Sequence, residues 1–382
     1  MTSAIGILGG GQLGRMLTLE AKRMGYRVVV LEPLTNSPAG QIADEQIVAA
    51  YADLRFIGEL GARTDVVTYE FENIPLAAIE ALEADRRLVR PSGGVLRITQ
   101  ERLLEKQFVR ECGIATVDYA AVGTHGDLGD AIAEISLPGV LKTTMGGYDG
   151  KGQWLIRGAA DADAAFGAAK GRPLIYEAFS PFDKELSIIC ARNAAGEVVT
   201  YPVAENEHDG GVLATTIVPA RIAPAIADEV RRAAETIAAG LDIVGAFAIE
   251  FFLAGEHLLV NEIAPRVHNT GHYSLDAATI SQYEMHVRAI CDLPLVPPRM
   301  LVPAVVMVNI LGGGSGDQLG GVNELLRDPD VSLHMYGKAH AALRRKMGHF
   351  TVLGSDADDA LRKAELGRRK LHWIDNRAVS RA

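Results

Sequence analysis

Residues 247–272 read FAIEFFLAGEHLLVNEIAPRVHNTGH, two apolar runs joined by a short glycine-containing break, which is the pattern of a β-hairpin. Each run carries one carboxylate, Glu250 and Glu262, inside otherwise apolar sequence. Side chains alternate along a strand, so a three-residue connection over 255–257 would set the two acids directly opposite each other on one face. Two carboxylates that close repel unless a cation lies between them. Hard oxygen ligands from two acids, with Asn261 adjacent, suit Mg2+, which completes its octahedron with water and phosphate oxygens. The expectation is nucleotide chemistry. A hairpin with its acids turned to solvent or to an arginine would read the same in isolation. Immediately downstream come Arg266, His268, Asn269 and His272, so cationic and hydrogen-bonding groups converge where phosphates would end.

Around this hairpin stand 382 residues, too many for one compact core and enough for roughly two to four units. With 48% hydrophobic and 23% charged residues the chain reads as globular rather than disordered. A formal net charge of -10 argues against nonspecific binding to nucleic acid or anionic membranes, so an anionic substrate must be met by local positive groups. The three cysteines, Cys112, Cys190 and Cys291, are scattered and lack metal-ligand spacing, which fits a reducing cytoplasm. Residues 1–10 have no basic leader, and no apolar run reaches about 18 residues, so neither a signal peptide nor a membrane span is expected.

The chain opens with SAIGILGGGQLGRMLTLEAKRMGYRVVVLEP, read as strand, glycine-rich turn, helix, strand. Gly9, Gly11 and Gly14 satisfy G-x-G-x-x-G, the helix should start near Gln12, and Glu32 ends the second strand. Taken alone this suggests a dinucleotide site. Its physical content is wider, since free N–H groups at a helix start hold any phosphate. A third strand, DVVTY, brings Glu70 and Glu72 to its carboxyl end, where open α/β sheets place ligands. An amphipathic helix over residues 76–84 completes a small doubly wound unit.

The middle of the chain begins with one helix expected over residues 98–115 and stopped at Gly113. LPGVLKTTMGGYDGKGQWLI follows as a strand with Lys142 near its end, a flexible loop, and a strand from Gln153. A Walker loop needs glycine where Met145 stands and a helix after Lys151, so this is instead a strand-loop-strand flap able to close over phosphates. PLIYEAFSPFDKELSIICAR gives two more strands. Glu177 on the first could take an adenine amino group and Glu185 on the second ribose hydroxyls. His208 reads as a polar loop residue. Residues 224–241 form an amphipathic helix leading into the hairpin, and another is expected over 276–291. Beyond it come β-like segments and a basic stretch in which Lys338, Arg344, Arg345 and Lys346 fall within nine residues.

Four stretches in order, GILGGGQLGRM, GGYDGKGQ, EAFSPFDKELS and E...NEIAPRVHNTGH, with YGKAHAALRRKMGH after them, resemble the ATP-grasp superfamily over nearly the whole chain, and within it the N5-carboxyaminoimidazole ribonucleotide synthetases. The resemblance implies a Rossmann-like pre-ATP-grasp domain over 1–96, an ATP-grasp domain over 97–298 and a small β-rich C-terminal domain over 299–382, α/β and α+β in class. It implies a cytoplasmic, homodimeric ligase of purine biosynthesis that carboxylates 5-aminoimidazole ribonucleotide with ATP and bicarbonate through carboxyphosphate, releasing ADP and phosphate. By matching position, Arg102, Lys142, the loop Gly147, Tyr148, Asp149, Gly150, Lys151, Gly152 and Gln153, the run Glu177, Ala178, Phe179 and Ser180, and Glu185, His208, Asn261 and Glu262 would bind ATP. Glu250 and Glu262 would hold Mg2+. Arg266, His268 and Asn269 would position bicarbonate, with Lys142 at the transferring phosphoryl group. Gly10, Gly11, Gln12 and Leu13 would take the ribonucleotide phosphate, and Glu72, Tyr148, Asp149, Lys338 and Arg345 the rest of that substrate. Val267, Thr270 and Tyr273 depart from the proline, serine and tryptophan expected in the bicarbonate loop.

The chemistry of the residues is compatible with that reaction. Bicarbonate is a poor electrophile until phosphorylation makes one of its oxygens a leaving group, and the mixed anhydride must be kept from water. Two enzyme alternatives stay open: another ATP-grasp purine enzyme, such as a formate-using glycinamide ribonucleotide transformylase, and an NAD-dependent oxidoreductase built on Gly9, Gly11, Gly14 and Glu32. A non-catalytic ATP sensor is a third reading.

Overall fold

The computed structural model describes residues 3–147, 150–314 and 316–374. The first unit is a parallel four-stranded sheet in the order Glu45–Ile47, Arg27–Leu31, Ala4–Leu8, Val66–Tyr69. Its strands other than the edge strand Glu45–Ile47 are nearly continuous apolar runs because both faces are covered. Alternate residues serve the two sides. Ile5, Ile7, Val28 and Val30 pack toward the helices Gln12–Arg23 and Gln282–Ile290, whereas Leu8, Val29, Leu31 and Val67 pack with the residues of the helices Leu54–Arg63 and Leu76–Ala84. The first of these cores also contains Ala246 and Ala248 of the hairpin. His286 ties the same joint, accepting from the Ala246 N–H at 3.0 Å through Nδ1 and lying 2.9 Å from the Thr68 hydroxyl through Nε2.

Two large antiparallel sheets and the two-stranded pair of Gln318–Gly320 with His372–Ile374 make the rest among the described residues. The smaller runs Tyr119–Val122, Leu174–Ala178, Gly139–Thr143, Gln153–Ile156. The larger begins at the hairpin, His257–Ala264 and Gly245–Ala254, and continues through Lys184–Arg192, Ala204–Asp209, Val212–Val218, Ala304–Leu311, Lys346–Gly354 and Val331–Met335, with Val198–Thr200 pairing beside Lys184–Arg192. The strands after residue 299 are thus hydrogen-bonded into the sheet that carries the acid pair, through pairs such as Thr215↔Val308.

Several local expectations change. The helix expected over 98–115 is two, Gly93–Gln100 and Arg102–Glu111, split at Glu101. Glu101 leaves helical geometry and caps the second helix, accepting from the Leu103 and Leu104 N–H groups at 3.3 and 2.9 Å. The helix expected over 276–291 is cut down to Gln282–Ile290 because Ala278 is extended and Ser281 caps anew. A helix at Ala357–Lys370 went unread because only Ala360, Ala364 and Gly367 are buried on it, too thin a stripe to mark a period. No helix among the described residues is long and apolar enough to cross a membrane.

Candidate active site

The hairpin does face Glu250 to Glu262. The connection is shorter than expected: Ala254 pairs with His257, leaving only Gly255, at φ +60, and Glu256 in the turn. That register alone would oppose Glu250 to Asn261. A bulge adds one residue between the Phe251↔Val260 and Glu250↔Glu262 pairs, and this restores the facing of the acids. Both line a cavity of about 680 Å3 between the two antiparallel sheets and the glycine turn.

From the larger sheet the cavity also takes Glu185, His208 and Asn261. His208 lies on the strand Ala204–Asp209, not in a loop, and its Nδ1 bonds the Glu185 carboxylate. From the smaller sheet come Lys142 at the end of its strand, then Gly147, Gly150, Lys151 and Gln153 of the flap. Gly152 stands at φ +73 with Thr143 Oγ1 2.8 Å from where a Cβ would be, so the flap needs glycine there. Tyr148 and Asp149 lie outside the described residues. Arg102 reaches in from the first turn of its helix, with Nη1 3.7 Å from Glu262. Burial, and then repulsion by Glu262, push the Glu250 carboxyl above its ordinary value. The pair is short of positive charge, and its oxygen donors fit a hard divalent cation.

Glu177 is placed differently from the reading that gave it an adenine contact. It does not line the cavity; its carboxylate is buried beneath, 2.5 Å from Lys142 Nζ and 3.5 Å from Lys106 Nζ. Burial alone would raise its pKa, but the two ammonium groups outweigh that and hold it down at about 2. Burial lowers the Lys142 pKa. Ala178, Phe179 and Ser180 likewise do not line the cavity, and the N–H groups of Ala178 and Phe179 donate to the Asp118 and Pro138 carbonyls at 2.8 and 3.2 Å. Lys106 and its neighbour Glu105, which accepts from the Ile263 N–H at 2.6 Å, were missed. The available signal was their spacing, three and four residues before the buried Val109.

Downstream of the hairpin, Arg266, His268 and Asn269 all line the cavity. Arg266 Nε bonds the Glu72 carboxylate, so Glu72 meets the loop that follows the hairpin directly. His268 is clamped by Gln282, which accepts from its N–H at 2.9 Å and donates to its carbonyl at 2.7 Å. Burial, helped by Arg266 and Lys346, keeps its imidazole well below its ordinary pKa and hence neutral. The Thr270 hydroxyl lies 3.0 Å from His268 Nδ1, and Val267 and Tyr273 are buried in the core, so the departures in this loop are packed rather than loose.

At the glycine turn, Gln12 and Leu13 line the cavity but Gly10 and Gly11 do not. The N–H groups of Gly11 and Gly14 are bound by the buried Glu70 carboxylate, the latter at 2.5 Å, and that of Gly10 by Glu32 at 2.9 Å. Carboxylates therefore sit where the dinucleotide reading needed a pyrophosphate. Lys338 Nζ contacts Gln12 Oε1 at 2.7 Å, joining the distant basic stretch to this turn. Arg345 is exposed, donates to the His340 carbonyl at 3.2 Å and does not line the cavity; Lys346 does. Away from the cavity, Asp276, His334 and His349 place ligand-type atoms within 4.8 Å of one another. Within that group His334 bonds both Asp276 oxygens, His349 Nδ1 pairs with the Tyr336 hydroxyl at 2.8 Å while its buried Nε2 has no hydrogen-bond partner, and the two rings stack 12° from parallel.

Two antiparallel sheets closing on one cleft, a lysine and glycine flap on one and paired acids on the other, define the ATP-grasp class of ATP-dependent ligases. Models of known families agree. An ATP-grasp domain matches residues 107–283, a ribonucleotide synthetase preATP-grasp domain residues 1–100, and a phosphoribosylaminoimidazole carboxylase C-terminal domain residues 305–363. The N5-carboxyaminoimidazole ribonucleotide synthase of Brucella melitensis is 44% identical over 352 residues, 91% of this chain and 96% of that one. An N5-carboxyaminoimidazole ribonucleotide synthetase solved as its ADP complex is 44% identical with a TM-score of 0.89, covering 96% of both chains. The Aspergillus clavatus enzyme, solved with ADP and 5-aminoimidazole ribonucleotide, is 31% identical with a TM-score of 0.89, covering 97% of this chain and 98% of that one. The chain belongs to the N5-carboxyaminoimidazole ribonucleotide synthase family.

Proposed function

We propose that the chain carboxylates 5-aminoimidazole ribonucleotide on its exocyclic nitrogen, using ATP and bicarbonate and releasing ADP and phosphate, as a step of purine biosynthesis. One observation carries this reading: the acid pair, Lys142, the loop Arg266, His268 and Asn269, and the turn residues Gln12 and Leu13 all line a single cavity. Lys142 and the flap meet the phosphates of ATP. Glu250 and Glu262, with Asn261 beside them, would hold Mg2+, which offsets the charge that develops on a transferring phosphoryl group. Arg266 and Asn269 orient bicarbonate for attack on the terminal phosphoryl group, and neutral His268 can share a hydrogen bond with it without bringing a charge of its own. The acceptor's phosphate sits toward Gln12, Leu13 and Lys338, which brings its amine to the carboxyphosphate before water can reach it. Lys346 is a better candidate than Arg345 for the remaining charge of that substrate. A homodimer and a cytoplasmic location belong to the same proposal.

The test is release of ADP by the purified protein. It should require both bicarbonate and 5-aminoimidazole ribonucleotide. Release unaffected by omitting either one would defeat the reading, and turnover with formate and glycinamide ribonucleotide instead would move the chain to the neighbouring transformylase chemistry.

A further inference from the structure

Asn269 and Asn309 are forty residues apart in the chain and meet as a reciprocal amide pair. Asn269 Nδ2 donates to Asn309 Oδ1 at 3.1 Å, and Asn309 Nδ2 donates to Asn269 Oδ1 at 2.7 Å. The second Nδ2 proton of Asn309 goes to the Leu213 carbonyl at 2.9 Å. Both residues are buried, and Asn309 sits in the middle of the large sheet on Ala304–Leu311.

An amide can be turned over without changing its shape, so its orientation must be argued from partners. Here the Leu213 carbonyl decides. A carbonyl accepts only, so the group of Asn309 facing it must be the NH2. With that end fixed, Asn309 can offer only its oxygen and its other N–H to Asn269. Asn269 must then answer with its NH2 against the oxygen and its oxygen against the N–H. One proton of the Asn269 NH2 remains outside the pair, and Asn269 lines the cavity beside Arg266 and His268.

We infer that Asn309 is a positioning residue that fixes the side chain of Asn269 so that it presents an N–H donor, rather than a carbonyl oxygen, to a small planar oxyanion in the bicarbonate loop. The inference rests on the function proposed above and supplies a specificity element for it. Released from Asn309, Asn269 could turn its oxygen toward the anion, exchanging an attraction for a repulsion at one point of a low-dielectric site. The backbone of the loop would stay in place, since Gln282 clamps His268 independently.

The experiment is steady-state kinetics of the intact protein with Asn309→Leu, which is nearly isosteric and makes neither bond. Asn309→Ser is measured alongside, because it is small enough to fit if the first variant fails to fold, and its short hydroxyl does not restore the two-point pair. The expected result is a KM for bicarbonate raised about tenfold or more in each folded variant, the scale of one charge-assisted hydrogen bond, with the KM for ATP within about twofold of the parent. A general loosening of the fold would move both constants together, and that outcome overturns the inference. So does a bicarbonate KM that stays at the parent value while only kcat falls. If the parent protein itself shows no bicarbonate dependence, the proposed function fails and takes the inference with it. Bicarbonate dependence in the parent with unchanged variants removes only the role of Asn309.

Discussion

Glu250 and Glu262 face each other across the hairpin because a bulge beside Asn261 cancels the one-residue shortfall of the turn. A regular ladder would oppose Glu250 to the neutral Asn261 and leave Glu262 one step out. Glu262→Gln keeps the shape and the hydrogen-bonding reach of the side chain but removes a charge from the proposed metal site. ADP formation should fall by about two orders of magnitude or more, with the thermal midpoint within a few degrees of the parent. Near-normal turnover at saturating Mg2+ would show that the pair does not hold the catalytic cation.

Glu177 separates two roles that sequence reading alone could not distinguish. A residue that only touches adenine would, on removal, raise the KM for ATP and leave stability alone. A carboxylate buried between Lys142 and Lys106 leaves two uncompensated cations when it is removed. Glu177→Ala should therefore cost about 3–5 kcal/mol of unfolding free energy in the absence of any nucleotide. Urea denaturation of the ligand-free protein decides the matter, and a midpoint equal to the parent's would return Glu177 to the adenine reading.

What could be read in the sequence followed from local periodicity. The alternation in 247–272 gave the hairpin, the run from Pro224 to Leu241 gave its helix, and the glycines before Gln12 gave a turn leading into a helix, because each signal is contained within a few residues. The loop carrying Arg266, His268 and Asn269 and the flap were legible for the same reason. The partners were not. Asn309 meets Asn269 across forty residues, Lys338 meets Gln12 from the other end of the chain, and Lys106 approaches the strand of Glu177 from the helix Arg102–Glu111. Arg345 was preferred to Lys346 by resemblance, and only the strand Lys346–Gly354 shows which of two neighbouring cations turns inward.

The Glu70 carboxylate shapes the end of the cavity at the glycine turn. It accepts from the Gly11 and Gly14 N–H groups, and a Cβ on Gly9 would lie 2.4 Å from its Cγ. The glycines are therefore spaced for a buried carboxylate as much as for a ligand. Glu70→Ala removes the acceptor of two backbone donors, so the turn holding Gln12 and Leu13 should lose its fixed shape. The KM for 5-aminoimidazole ribonucleotide should rise about tenfold while that for ATP stays near the parent value. An unchanged acceptor KM would mean that the turn holds its form without Glu70.

His286 joins the parallel sheet to the hairpin strand, and its titration should be visible in stability. Burial depresses its pKa from the ordinary 6.5 to about 4, and the Ala246 N–H, which Nδ1 accepts, likewise requires the neutral ring. Between those values the unfolded chain binds a proton that the folded chain refuses, so unfolding takes up protons and stability rises with pH. The contribution is complete above about pH 6.5 and is lost as pH falls toward 4, amounting to about 3 kcal/mol at most. His268, His272 and His349 are depressed in the same direction, so replacing His286 should flatten the slope without abolishing it. The measurement is urea unfolding of the parent and His286→Gln at a series of pH values from 4 to 7.5. The variant is expected to be less stable than the parent at pH 7, through the lost Thr68 and Ala246 contacts, and to approach it at pH 4.5. Curves that run parallel across the range would show that His286 carries no proton-linked stability.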